Sequence, residues 1–141
     1  MPNQQQEMAK LCELSPIPIA LDEELIGVNL SSEREKLLDT INPHFLIVKP
    51  SLLGGFKDSN EWIYFAEKRN IKWWATSALE SNVGLNSIAQ WVSTKNNELR
   101  QGLGTGMLFS NNIQSPLCIE KDAIFLKEHK KWDLNFFTRQ A

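Results

Sequence analysis

Short apolar runs alternate with amphipathic segments along most of the chain. Three runs, Ile17–Leu21, His44–Val48 and Ile71–Thr76, are largely apolar and are bounded by polar residues or proline. Continuous apolar runs of this length are typical of strands in parallel sheets that are covered on both faces. Because proline cannot donate to a sheet ladder, we expect Pro18 among the first residues of its strand.

Segments with helical spacing separate these predicted strands. An amphipathic stretch around Met8 and Leu11 precedes the first strand. Two further helices are predicted to begin with capping boxes, Ser32-x-x-Glu35 and Asp58-x-x-Glu61. A last helix is indicated by apolar residues at positions i, i+3, i+4 and i+7, namely Leu85, Ile88, Ala89 and Val92. Strands that alternate with helices over short connections predict βαβ units and a parallel sheet.

The predicted strands end at nearly equal intervals. Asp22, Lys49 and Ser77 stand at these ends, and the two intervals between them differ by a single position. A further step of that size falls in the Gly102–Gly106 loop, and we predict a fourth, glycine-rich strand within residues 101–109. Four βα units of equal length predict an α/β fold, a partial (β/α) barrel that presents polar residues at the carboxyl ends of its strands.

The domain organisation that follows is a single domain over residues 1–141. The βα units occupy residues 1–115, and a carboxyl-terminal hairpin and tail occupy residues 116–141. The hairpin is predicted because two short apolar runs flank a polar turn, Leu117–Ile119 and Ala123–Leu126.

Composition and charge exclude several classes of function. The chain has seventeen acidic and fifteen basic residues, and the basic residues form no stripe. This balance argues against a nucleic-acid partner. The longest apolar runs fall far short of the ~20 residues of a membrane helix, so we expect no membrane partner. The polar amino-terminal segment does not resemble a secretory signal. Cys12 and Cys118 fit no zinc or redox spacing, and we expect buried thiols in a cytoplasmic protein.

Two residues at the predicted strand ends are candidates for chemistry. Asp22 is either a solvated or capping residue or a ligand for a hard cation such as Mg²⁺, supported by Glu23 from behind while Glu24 faces water. Lys49 directly follows an apolar strand and precedes a proline. Withdrawn from water, its amine would serve as an acid/base group or a fixed positive charge; otherwise it extends past the barrel rim.

The segment after the third strand offers hydroxyl groups and an acid. Thr76, Ser77 and Glu80 precede the helix that contains Leu85. Hydroxyls at such a position normally cap the helix, but free N–H groups at a helix start also bind anions such as a substrate carboxylate. The glycines of the Gly102–Gly106 loop follow a helix and not a strand, so the dinucleotide-binding fingerprint fails.

Three motifs in register carry a family resemblance. The segments Pro18–Leu25, Ile47–Pro50 and Ala75–Leu85 closely resemble the carboxyl-terminal half of the barrel in the o-succinylbenzoate synthase family, a branch of the enolase superfamily. The later segment Gln101–Phe109 is similar to some members of that family. The resemblance runs over nearly the whole chain, whose length is about half of the ~250 residues of a complete barrel.

The resemblance implies a lyase with a capping domain and a barrel that binds one Mg²⁺ through three carboxylates. Such enzymes dehydrate 2-succinyl-6-hydroxy-2,4-cyclohexadiene-1-carboxylate to o-succinylbenzoate in menaquinone biosynthesis. One lysine removes the proton α to the carboxylate, a second lysine faces the intermediate from the opposite side, and the metal stabilises the enediolate.

Residue by residue, the resemblance assigns roles to five positions. Asp22 matches the third metal ligand and Lys49 matches the second lysine. Thr76 and Ser77 match the segment that contacts the substrate, and Glu80 keeps the acid that follows it. The first lysine and the other two carboxylates have no counterpart in the chain. We therefore expect weak or no Mg²⁺ binding and no measurable dehydration by the chain alone. Because the parallel sheet is left open at its edges, we also expect a homodimer or higher assembly that covers them.

Two alternatives stay open on the sequence. The first is a non-catalytic half-barrel that serves in assembly or binds anions. The second is part of a racemase from the same superfamily, acting on dipeptides or N-acyl amino acids, because such enzymes share the Asp22 and Lys49 positions.

Overall fold

A computed structural model describes residues 4–136 of the chain. They form two compact units: the first extends to Thr76 and includes Asn97–Gln101, and the second comprises Ser77–Asn96 and the residues from Gly102 onward. The first unit contains α1 (Gln5–Leu14), β1 (Ala20–Leu21), α2 (Ser31–Ile41), β2 (Phe45–Val48), α3 (Gly55–Glu67) and β3 (Lys72–Ala75). The second contains α4 (Asn82–Ser93), β4 (Leu117–Glu120) and β5 (Ala123–Leu126).

The first unit is a parallel three-stranded sheet in the order β1-β2-β3. Leu21 pairs with Leu46, and Val48 pairs with Ala75. This arrangement confirms the predicted βα units and the parallel sheet. The first strand is only two residues long, shorter than its apolar run. Just before it, the Ile19 N–H donates to the side-chain Nδ1 of His44 at 3.1 Å and not to a backbone carbonyl of β2.

The two faces of the sheet are buried to different extents. The face toward the helices is at most 5% exposed and comprises Leu21, Leu46, Val48, Trp73 and Ala75. The opposite face is half-buried at Ala20, Phe45, Ile47 and Trp74 and exposed at Lys72. The expectation that the strands are covered on both faces is therefore wrong for the described residues. The continuous apolar runs belong to a sheet of which one face keeps partial access to solvent.

Helices α2 and α3 do not begin at the predicted capping boxes. Helix α2 begins at Ser31 and α3 at Gly55, and neither start has a side-chain cap. The acids of the second box, Asp58 and Glu61, instead pair with a residue of the neighbouring helix. No helix in the described part of the chain is long and apolar enough to cross a membrane.

A buried arginine joins α2 to α3. Arg34 is 1% exposed, and its Nη2 lies 3.3 Å from Asp58 Oδ2. Its Nη1 pairs with Glu61, and its Nε donates to the carbonyl of Val28 at 3.0 Å. The guanidinium carbon also lies 5.6 Å from the ring centroid of Trp62. Each of the three guanidinium nitrogens therefore has a partner, as a buried charge requires.

A second arginine, in the turn after α3, forms a more exposed ion pair with α2. Arg69 donates to both carboxylate oxygens of Asp39, at 2.7 and 3.0 Å, and to Glu35 at 3.1 Å. The hydrogen bond from Arg69 lowers the pKa of Asp39 below its ordinary value of 3.8. The partnership with Asp39 and Glu35 correspondingly raises the pKa of Arg69.

This pair predicts a small dependence of stability on acid. The folded pKa of Asp39 is depressed, so its contribution is present above the unfolded pKa and is lost as pH falls through the folded value. We expect the wild-type chain to lose more unfolding free energy than Asp39→Asn between pH 6 and pH 3. Urea unfolding at both pH values measures the difference, and equal losses in the two proteins would contradict it. The effect stays small because the Asp39 side chain is 63% exposed.

The second unit confirms the last predicted helix and the hairpin. Leu85, Ile88 and Val92 form the buried side of α4. Strands β4 and β5 pair in antiparallel fashion, with Leu117 opposite Leu126.

Among the described residues, the predicted fourth strand is reduced to a single bridge position at Gly102. Gly104–Met107 is a 3₁₀ helix, closed by a 3.0 Å bond from the Leu108 N–H to the Thr105 carbonyl. Residues 101–109 include few of the β-branched residues that favour strands. A Cβ at Gly106 would lie 2.6 Å from Leu85 Cδ2, so glycine lets the turn pack against α4.

The two cysteines have different environments. Cys12 is buried on α1, and burial together with nearby Glu24 raises the pKa of its thiol. Cys118 is only half-buried, with Lys130 Nζ 3.1 Å from its sulfur. The expectation of a buried thiol is thus correct for Cys12 and wrong for Cys118, because β4 lies in a two-stranded hairpin that cannot enclose its own side chains.

Candidate active site

Three predicted site residues follow the three parallel strands directly. Asp22 comes after β1, Lys49 after β2 and Thr76 after β3. Because side chains alternate across a strand, each lies on the half-buried face and not on the face packed against the helices. The carboxyl ends of parallel strands meet at one edge of a sheet, so the fold brings these three residues to the same end of the first unit.

Asp22 and Lys49 form an ion pair. Lys49 Nζ lies 2.7 Å from Asp22 Oδ2, and the two side chains are 21% and 32% exposed, respectively. One βα unit separates them along the chain, which places them on adjacent strands. The contact fixes the ammonium group at the strand ends and leaves it partly accessible. Lys49 therefore does not extend past the rim into solvent, the alternative that the sequence left open.

Two oxygen atoms at this end of the sheet are buried without a hydrogen-bond partner among the described residues. They are Asp22 Oδ1, the oxygen that Lys49 does not engage, and Thr76 Oγ1. Buried polar atoms in folded proteins nearly always have a partner, and an unmatched one costs free energy. They lie at the ends of β1 and β3, on either side of Lys49 at the end of β2, which indicates a binding site more than a stabilising network.

The residues at this end of the sheet could supply Mg²⁺ with one protein ligand. A carboxylate oxygen such as Asp22 Oδ1 is the kind of ligand that Mg²⁺ prefers. Within residues 4–136, however, no cluster of three or more His, Cys, Asp or Glu side chains could hold a metal ion. Asp22 would therefore supply one ligand of a site whose other protein ligands lie outside the described residues.

The two glutamates after Asp22 behave differently from the prediction. A 3₁₀ turn, Glu23–Leu25, follows the aspartate. The backbone N–H of Asp22 donates to Glu24 Oε2 at 3.1 Å, and Glu24 is half-buried, so the expectation that it faces water is wrong. Glu23 is exposed, and its supporting role stays a prediction. The tight turn brings the side chain of Glu24 back to the backbone of Asp22, whereas the side chain of Glu23 is exposed.

Ser77 and Glu80 form a local hydrogen-bonded turn in the second unit. Ser77 is 8% exposed, and its Oγ donates to Glu80 Oε2 at 2.6 Å. The backbone N–H of Ala78 donates to the same oxygen at 2.9 Å. Neither Thr76 nor Ser77 therefore caps α4, which begins after Ser81 without a side-chain cap. The capping interpretation of these hydroxyls is wrong, since the helix starts more than a full turn beyond Ser77.

The amino end of α4 has a partner that the sequence analysis missed. The N–H of Asn82 donates to Asn112 Oδ1 at 3.1 Å. The side-chain amide of Asn82 in turn bonds both backbone groups of Ile113, at 2.5 and 3.2 Å. One of the N–H groups that could have bound an anion is thus already engaged. These two asparagines meet only in the tertiary fold, and no local sequence pattern predicts the contact.

Comparison with known proteins places this arrangement in a family. No established protein-family profile matches the chain. The o-succinylbenzoate synthase of Desulfotalea psychrophila is 52% identical over 118 residues, which cover 84% of this chain and 32% of that protein.

Many solved structures resemble the fold, among them the following two. The crystal structure of MenC from the same organism superposes with a TM-score of 0.82 at 50% identity, over 86% of this chain and 34% of that one. An L-Ala-D/L-Glu epimerase from Bacillus subtilis matches with a TM-score of 0.77 at 16% identity, over 94% of this chain and 36% of the epimerase. The second similarity concerns the fold alone.

The fold matches part of the (β/α) barrel of enolase-superfamily structures. Within that superfamily, the chain is similar over its matched residues to o-succinylbenzoate synthase. It spans about a third of the length of these relatives.

Proposed function

We propose that this chain supplies the Asp22–Lys49 side of the active site of an o-succinylbenzoate synthase. The reaction is the dehydration of the cyclohexadiene carboxylate to o-succinylbenzoate. The observation that carries the proposal is the ion pair at the ends of β1 and β2, 2.7 Å long, beside two unpartnered buried oxygens. The 52% identity to a named o-succinylbenzoate synthase supports the substrate class.

Lys49 acts in this proposal as a fixed positive charge. Dehydration removes the proton α to the substrate carboxylate and expels the ring hydroxyl as water, and negative charge builds up on the carboxylate between these events. An ammonium group held at the strand ends stabilises that charge without having to reorganise. Asp22 positions the ammonium, so the pair stays ready on the half-buried face. Removal of the proton falls to a group beyond the described residues.

Asp22 and Thr76 would contact the ligands of the site. When bound, Mg²⁺ supplies further positive charge beside the substrate carboxylate, and Asp22 Oδ1 would be one of its ligands. The Thr76 hydroxyl is free to donate to a substrate oxygen. Ser77 and Glu80 are assigned to the substrate-binding segment on the family resemblance. On the same resemblance we assign the reaction to menaquinone biosynthesis in the cytoplasm.

A covalent chimera tests this proposal. The matched segment of the Desulfotalea psychrophila enzyme is replaced by that of this chain, and formation of o-succinylbenzoate is followed with Mg²⁺ present. We expect dehydration by the chimera and none by the isolated chain. A folded chimera that does not dehydrate the substrate would overturn the proposal. So would one that instead racemises a dipeptide or an N-acyl amino acid.

A further inference from the structure

The residue before β2 is hydrogen bonded to the residue before β1 through both its backbone and its side chain. The His44 N–H donates to the Ile19 carbonyl at 3.1 Å, and the Ile19 N–H donates to His44 Nδ1 at 3.1 Å. The same carbonyl also accepts the N–H of Phe45 at 3.1 Å. We call the two bonds between His44 and Ile19 the histidine clamp.

In this clamp the imidazole of His44 takes the place of a backbone acceptor. The register of β1 and β2 puts Ile19 opposite His44. If the parallel ladder continued, the Ile19 N–H would bond the carbonyl of the residue before His44, which is Pro43. It bonds His44 Nδ1 instead. Because the residue before Ile19 is a proline, which has no N–H, its backbone cannot replace this bond.

The bond from Ile19 exists only while the imidazole is neutral. A ring nitrogen that accepts an N–H carries no proton of its own, so the ring proton of His44 is on Nε2. A second proton would place an N–H opposite the Ile19 N–H, and the acceptor would be lost. His44 is exposed to solvent, and histidine is the side chain that changes its charge between about pH 5 and pH 8.

Charged groups from several elements surround His44. It lines a cavity of about 770 Å³ together with Cys12 and Glu13 of α1, Arg69 in the turn after α3 and Lys72 of β3. The part of α2 that lines this cavity has no titratable side chain. Arg69 is paired with acids of α2, and Glu13 and Lys72 carry opposite charges. A proton on His44 therefore acts mainly through the lost hydrogen bond and not through one dominant charge nearby.

The histidine clamp and the candidate site lie at opposite ends of a very short strand. β1 has two residues, and Asp22 follows it directly. The extended chain from Ile19 to Asp22 spans only ~10 Å, and both intervening residues belong to the strand. At its far end, Asp22 Oδ2 lies 2.7 Å from Lys49 Nζ. A displacement of Ile19 would therefore reach the Asp22 carboxylate.

We infer that His44 is a positioning residue for the candidate site: in its neutral form it holds the start of β1 and thereby keeps Asp22 against Lys49, and protonation releases this hold. The consequence for metal binding rests on the proposed function, in which Asp22 Oδ1 is offered to Mg²⁺. The hydrogen bond and its dependence on pH rest on the geometry of His44 and Ile19 alone.

Nuclear magnetic resonance on the full chain tests the clamp. We expect the protection factor of the Ile19 amide against hydrogen exchange to fall about fivefold between about pH 8 and pH 5, the usual effect of one net hydrogen bond. The ring ¹⁵N shifts of His44 should show an unprotonated Nδ1 at the higher pH. Lysine side chains titrate well above this range, so the side-chain ¹⁵N shift of Lys49 reports its contact with Asp22 and should change together with the Ile19 amide.

Three substitutions separate the hydrogen bond from the charge. In His44→Asn the amide Oδ1 can occupy the place of Nδ1 without titrating, so Ile19 protection and the Lys49 shift should keep their high-pH values throughout. In His44→Gln the amide oxygen lies nearer the place of Nε2, so Ile19 protection should be low at both pH values. The matched control is His129→Asn, which alters the other histidine of the chain, exposed in the second unit, and should keep the full pH dependence.

The covalent chimera extends the test to the metal site. With His44 in place, it should need more Mg²⁺ for half-maximal dehydration at about pH 6 than at about pH 8. With His44→Asn this increase should be smaller, because the acceptor for Ile19 is kept at both pH values. An equal increase in the two chimeras overturns the effect of His44 on the metal site.

The outcomes of the resonance experiments separate the clamp from the proposed function. Ile19 protection that is equal at both pH values, or that falls equally in His44→Asn, overturns the clamp. A Lys49 shift that does not change with the Ile19 amide overturns the link to Asp22. Recovery by His44→Gln as complete as by His44→Asn overturns the role of Nδ1. The wild-type measurements decide the first two points even when a variant does not fold. An inactive chimera beside a pH-dependent Ile19 amide supports the clamp and overturns only the proposed function.

Discussion

Replacing Arg34 by methionine is expected to lower the free energy of unfolding by about 3 kcal/mol. The guanidinium is 1% exposed and bonds the Val28 carbonyl, Asp58 and Glu61. Methionine fills part of the volume but leaves two acids of α3 without their cation at the contact with α2. The loss lies at the lower end of the range for a broken buried pair because both acids are 33% exposed. Urea denaturation at neutral pH measures it.

Two further variants identify the cause of this loss. In Arg34→Met combined with Asp58→Asn and Glu61→Gln, part of the stability should return, since no unpaired charge is left near the helix contact. Lys127→Ala removes an exposed ion pair with Glu120 and should change little. If Arg34→Met costs no more than Lys127→Ala, the buried cluster does not hold α2 against α3.

The sheet could be predicted from the sequence because its signals are local and repeated. Each apolar run has the length of a strand, and the nearly constant interval between strand ends fits one strand, one helix and two short connections. The helix starts could not be predicted as reliably. The Asp58-x-x-Glu61 pattern satisfies the capping rule, yet both acids turn to Arg34 on the neighbouring helix. The two acids pair with this distant arginine and do not cap their own helix, because a buried cation needs partners of opposite charge.

The candidate site, like the fold, has some features that the sequence predicts and others that it does not. Asp22 and Lys49 could be placed at adjacent strand ends from their spacing alone, and the ion pair follows from that adjacency. The bond from the Asp22 N–H to Glu24 depends on a tight turn whose geometry the sequence does not specify. The cap that Asn112 provides for α4 comes from a distant part of the chain. A strand is wrongly predicted in the glycine-rich loop because the repeat interval extends there into a segment without strand-forming side chains.

Lys49→Met in the covalent chimera is expected to lower kcat for dehydration about 100- to 1,000-fold, the usual effect of removing one group that stabilises developing negative charge. Methionine keeps most of the side-chain volume, so the sheet should stay folded. Because the proposed role of Lys49 concerns charge that develops during the reaction, KM should change much less than kcat. Steady-state kinetics at saturating Mg²⁺ measure both.

Three companion variants make the result specific to the ion pair. Lys57→Met alters an exposed lysine of α3 and should retain the full kcat. Lys49→Arg keeps the charge but not the compact ammonium geometry, and should recover only part of the activity. Asp22→Asn should lower kcat and also raise the Mg²⁺ concentration needed for half-maximal activity, because one side chain both positions Lys49 and offers an oxygen to the metal. A Lys49→Met chimera with unchanged kcat would remove Lys49 from the reaction, and an Asp22→Asn variant with unchanged metal dependence would remove Asp22 from the metal site.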